Sequence, residues 1–71
     1  MRYAVIVEDG ESSFGAYVPD LPGCAAVGET KEEVLQLIHE AIEFHLEGLR
    51  EDGMPIPKPS SSIEYVEVRA A

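Results

Sequence analysis

The chain has 71 residues, with 14 acidic side chains against 5 basic ones for a net charge of −9, and it carries one cysteine and two histidines. A domain of this size buries only about 60% of its unfolded surface, so natural examples add a disulfide, a metal or a partner chain. Here the lone Cys24 excludes an internal disulfide, and Cys24, His39 and His45 do not have the spacing of a zinc site.

The charge also speaks against nucleic acid as a direct ligand, because phosphate binding rests on Lys and Arg. It suits a basic protein partner. The opening run has only five consecutive apolar residues, Tyr3 to Val7, before Glu8. That is too short for a signal peptide or a membrane span, so a soluble cytoplasmic protein is expected.

Residues 2–8, RYAVIVE, alternate with Tyr3, Val5 and Val7 on one face and Ala4 and Ile6 on the other, which predicts a strand apolar on both faces. The Asp9-Gly10 turn signal and the run FGAYV at 14–18 predict a second strand paired with the first as a hairpin. A short third strand is expected at 24–28. Its Cys24, Ala25, Ala26 and Gly28 have little side chain, which permits something bulky to pack closely over that end of the sheet.

TKEE at 30–33 is a capping box: the Thr30 hydroxyl can accept from the Glu33 amide while Glu33 reaches back, and Glu32 and Glu33 suit the positive end of the helix dipole. The helix is predicted from about 30 to 52. Val34, Leu35, Ile38, Ala41, Ile42, His45, Leu46 and Leu49 fall within one broad arc, and Gln36, Glu40, Glu43, Glu47 and Arg50 on the other side. Gly53 and Pro55 stop it. At roughly 34 Å it outruns the strands, so part of its apolar stripe must overhang the sheet. MPIPKPSSS at 54–62 is extended because alternate prolines remove amide donors. SIEYVEVR at 62–69 is expected as a fourth strand, with Ile63 and Tyr65 on one face and Val66 and Val68 turned toward the other.

The fold class is therefore expected to be α+β. It would be a single β-β-β-α-β domain over 1–71, with one long helix on one face of a four-stranded mixed sheet. The fourth strand would lie beside the first after a right-handed crossover. One helix covers only one face, which leaves apolar surface for another chain. A homodimer or higher homo-oligomer follows as an expectation.

Candidate chemistry is sparse. Gly23 and Gly28 do not form a phosphate-binding pattern, no lysine follows them, and Glu29 and Glu32 would repel an anion. Cys24 has no neighbouring cation to make it a reactive thiolate. His45 sits within the apolar arc, but His39 is six residues earlier and not at the i, i+4 spacing of a metal pair, so a packed histidine with an oligomer-interface role is the reading. The element order is that of ribonuclease H, whose chemistry needs carboxylates converging on metal ions. Glu40, Glu43 and Glu47 point away from the sheet instead. No cofactor, metal or catalytic residue is expected.

The loop FGAYVPDLPGCAAVGET, the helix KEEVLQLIHEAIEFHLEGLREDG and the following MPIPKPSS together resemble the HicB-like antitoxin family, formerly an uncharacterised group. Asp20, Leu21, Pro22, Gly23, Cys24, Gly28, Thr30, Glu33, Gly53, Pro55, Ile56, Pro57 and Pro59 stand where that pattern has such residues, and Val34 stands where it often has Ala. The resemblance implies a degenerate ribonuclease-H-like fold without catalysis, which binds and masks a small basic HicA-type mRNA-cleaving toxin. Contact candidates are Tyr17, Asp20, Leu21, Pro22, Glu43 and Glu47. The chain ends just after the fourth predicted strand, so the C-terminal DNA-binding domain of many HicB proteins is not expected. A structural or oligomerisation module without a toxin is the second reading, and a residual metal-dependent nuclease the third.

Overall fold

The computed structural model describes residues 1–70. Three strands, β1 (Ile6–Asp9), β2 (Phe14–Tyr17) and β3 (Ala25–Gly28), precede one helix, α1 (Lys31–Glu51). The strands form an antiparallel meander in the order β1-β2-β3. Val7 opposes Ala16 and Ala16 opposes Ala26, which sets these three on the face toward α1, whereas Ile6, Tyr17 and Ala25 share the outer face.

The helix starts as its capping box dictates. The Thr30 hydroxyl accepts from the Glu33 amide at 3.0 Å, and the Glu33 carboxylate accepts from the Glu29 amide at 2.7 Å. It ends in a Schellman motif: the Gly53 amide donates to the Arg50 carbonyl at 3.1 Å and the Met54 amide to that of Leu49 at 2.8 Å, with Gly53 at a φ of +68°. The α1 stripe packs chiefly on β3 and β2. Ala16, Val18, Leu21, Cys24, Val34 and Ile38 form the core between the two layers.

The expected hairpin forms: Asp9 opposes Phe14, and residues 10–13 close the connection through a Gly10 amide to Ser13 carbonyl bond of 2.7 Å. One expectation needs correcting: the four-stranded mixed sheet of a β-β-β-α-β fold is not what forms. The sheet has three antiparallel strands, the order is β-β-β-α, and residues 62–69 are exposed and outside any sheet.

The physical cause lies in the preceding segment. Pro55, Pro57 and Pro59 have no amide to donate. The next two amides, of Ser60 and Ser61, are spent on the Asp20 carboxylate, each at 2.9 Å. The Tyr3 hydroxyl meanwhile donates to the Pro57 carbonyl. The segment is thus pinned at two points by side chains, and the first two amides after the prolines are not available to a ladder beside β1.

Candidate functional site

The signature loop leaves β2 at Tyr17 and closes on itself through three backbone bonds. The Leu21 amide donates to the Val18 carbonyl at 3.1 Å, the Cys24 amide to the Leu21 carbonyl at 3.0 Å, and the Val18 amide to the Cys24 carbonyl at 3.2 Å. Gly23 turns the chain at a φ of +84°, a conformation that suits glycine. Leu21 is fully buried at the bottom of this loop. It therefore holds the loop against α1 and offers no surface to a partner. Cys24 is also buried, and burial pushes its thiol above the usual value.

Asp20, expected as a contact residue, is bonded within the chain. Its carboxylate accepts from the amides of Ser60 and Ser61 and from their hydroxyls, at 3.1 Å for Ser60 Oγ and 2.8 Å for Ser61 Oγ. These donors, the Ser61 amide foremost and the Ser60 amide next, hold the carboxyl at about 2 against an ordinary 3.8. Because the folded-state value is depressed, the clamp is fully present above about pH 4 and is lost as pH falls toward 2. The Ser60 and Ser61 amide resonances are expected to titrate with a midpoint near 2, and Asp20→Asn is expected to abolish that titration. A midpoint near 4 would show that the clamp does not exist in solution.

The other candidates do not form one patch. Tyr17 is 42% exposed on the outer face of the sheet, away from α1. Glu43 and Glu47 are exposed one turn apart on the helix. Glu43 borders an open groove of about 500 Å³ between α1 and the residues leading into β1, where Arg2, Tyr3 and Val5 face Leu35, His39 and Ile42. On the other flank of α1 a hollow of about 450 Å³ is lined by Gly23, Cys24, Phe44, His45 and Leu49. His45 is half-buried there, beside the signature loop.

Sequence reasoning missed Phe44. It is 81% exposed, and its neighbours one helical turn away are Glu40 and Glu47, with Glu43 next in the chain. The signal was present as Leu37 and Phe44, two apolar residues seven apart on the side opposite the core arc. Among the described residues no three His, Cys, Asp or Glu side chains gather as they would around a metal ion. No helix among them is long and apolar enough to cross a membrane.

Comparison with known proteins places this geometry. The model for the HicB-like antitoxin of bacterial toxin-antitoxin systems matches residues 3–70. An uncharacterised 14.9 kDa protein of Haemophilus phage HP1, from the rep-hol intergenic region, is 36% identical over 66 residues, covering 93% of this chain and 50% of the phage protein. Antitoxin HicB 2 of Photorhabdus laumondii is 36% identical over 72 aligned positions, covering 100% of this chain and 52% of the antitoxin. The chain thus spans about half the length of these two relatives.

A chain of a solved HicA3 and HicB3 toxin-antitoxin complex superposes with a TM-score of 0.72 at 30% identity, covering 84% of this chain and 70% of that one. The family match extends from Tyr3 through the loop, the capped helix and the proline segment, and on that evidence the chain belongs to the HicB-like antitoxin family of bacterial toxin-antitoxin systems.

Proposed function

We propose that this chain is a non-catalytic antitoxin module that binds and neutralises a small basic toxin of the HicA type, and that it does so as a homodimer or higher homo-oligomer. The observation that carries the reading is Phe44, an 81% exposed aromatic set among Glu40, Glu43 and Glu47 on the solvent side of α1. Interfaces take most of their energy from a few aromatic or Arg anchors, and complementary charge steers the partner onto them. An apolar ring among carboxylates on a chain of net charge −9 suits a basic surface with an apolar recess. The solved chain similar to this one belongs to a HicA3 and HicB3 toxin-antitoxin complex, which supports the same class of partner.

The contact surface narrows accordingly. Glu47 stands one helical turn from Phe44 and Glu43 precedes it in the chain, and exposed Pro22 adjoins Gly23 at the rim of the hollow that Phe44 also lines. Asp20 is engaged with Ser60 and Ser61, Leu21 is buried, and Tyr17 looks out from the opposite side of the sheet.

The test is co-expression with a small basic toxin of the HicA type. Phe44→Ala is expected to weaken the complex at least tenfold and to restore growth arrest, and Glu43→Lys with Glu47→Lys to weaken it in a salt-dependent way. Full protection by both variants would remove the helix from the interface. Failure of the unaltered chain to bind or protect would leave the oligomerisation module as the reading.

A further inference from the structure

We infer that residues 62–69 form an exchange arm, which leaves the body of one chain and lies in extended form along the groove between the β1 side and α1 of a second copy. The inference deepens the homo-oligomer reading above and rests on it. Tyr65 is 95% exposed, Val66 81% and Val68 78%, a concentration of bare apolar side chains at the end of the chain. Their spacing is that of a strand: Ile63 and Tyr65 fall on one face and Val66 and Val68 on the other. A segment apolar on both faces belongs where both faces are covered.

The whole molecule carries the same imbalance. Its accessible surface is 5782 Å² for 7.7 kDa, whereas a compact monomer of that mass has about 4,300 Å². Its radius of gyration is 14.1 Å, against about 11 Å for a compact chain of this length. The excess surface, well over 1,000 Å², exceeds the ~800 Å² that each partner contributes to a standard interface.

The groove fits this occupant. It holds about 500 Å³ and is walled by Val5, Leu35, Ile42 and Leu46, with Arg2 and His39 at its margins. Leu35 is 43% exposed although it belongs to the apolar arc of the helix. The arm brings Glu67 for Arg2 and Arg69 for Glu43, so its charges match the groove despite the acidity of the whole chain. The β1 strand pairs on one side only, with β2, so its other edge has backbone groups free to meet an extended segment.

The chain does not satisfy its own groove. Ser61 to Glu64 run beside Arg2 to Val5, fixed by the Asp20 clamp just before, and none of residues 65–69 lines the groove. Exchange between two copies is reciprocal, so a single two-fold axis covers both grooves and both arms.

Light scattering on the full chain at tens of micromolar is expected to give the mass of two chains or a multiple. Tyr65→Glu with Val66→Glu and Val68→Glu is expected to reduce it to one chain with an unchanged circular dichroism spectrum, because these side chains touch little in the single chain. Mixing Val66→Cys with Leu35→Cys, both carrying Cys24→Ala, is expected to give a covalent heterodimer on mild oxidation. A dimer that survives the triple substitution, or forms no such disulfide, overturns the arm and leaves the homo-oligomer standing. A monomeric full chain overturns both.

Discussion

Leu21→Ala is expected to remove about 2–5 kcal/mol of folding stability, the range for truncating a fully enclosed leucine where the surroundings cannot collapse. Leu21 has no exposed surface and packs with Ala16, Val18, Cys24, Val34 and Ile38. Its backbone is fixed on both sides, donating to Val18 and accepting from Cys24, so the loop cannot slide inward to fill the space. A chain of 71 residues has a total stability of about 4–11 kcal/mol, so the loss is a large share of the whole. Thermal unfolding should show a fall in Tm of roughly 10–30 °C. Leu21→Met, which keeps the volume, should cost less than about 1.5 kcal/mol. A fall of only a few degrees for the alanine variant would mean that the loop is not anchored through this side chain. The result also bears on partner binding, since a Leu21 variant that fails to protect against a toxin would report unfolding and not a lost contact.

Gly28→Val is expected to cost about 1–3 kcal/mol or more by overpacking, because the space above Gly28 is already filled by backbone. A Cβ there would stand 2.8 Å from the Val34 nitrogen and 3.1 Å from its Cα, with the Glu33 carboxylate also at 3.1 Å. The first turn of α1 can retreat only by breaking the reciprocal bonds among Glu29, Thr30 and Glu33. Hydrogen exchange at the start of the helix should therefore accelerate together with the loss of stability. Gly15→Ala is the control, since nothing lies within 4 Å of an added Cβ at that position. Equal effects of the two substitutions would show that the close approach at Gly28 carries no stability.

The small residues at 24–28 illustrate how far the sequence could be read. Their size foretold close packing over the end of the sheet, and the packing element turns out to be the beginning of the helix itself, seated on Gly28. The signature loop was legible as a structural turn, but its spacing could not say that Leu21 points inward and that Asp20 reaches 40 residues along the chain to Ser60. Such a contact leaves no periodicity. Phe44 has only Leu37, seven residues earlier, for company outside the core arc, so its signal is one pair and not a stripe.

Local chemistry determined by itself the meander, the capped and Schellman-terminated helix, the acidic surface, and the family through the combined loop, helix and proline spacing. Each depends on neighbours within a few residues, where backbone sterics and hydrogen bonding decide. Only the tertiary structure decided the fate of 62–69. The segment has the composition and alternation of a strand, but a strand also needs a partner's backbone held in register against it. The Asp20 clamp fixes Ser60 and Ser61 through a side chain, and residues 62–69 join no ladder although the outer edge of β1 is open, so their apolar side chains stay exposed. Alternation specifies which side chains share a face, and long-range contacts specify what, if anything, lies against them.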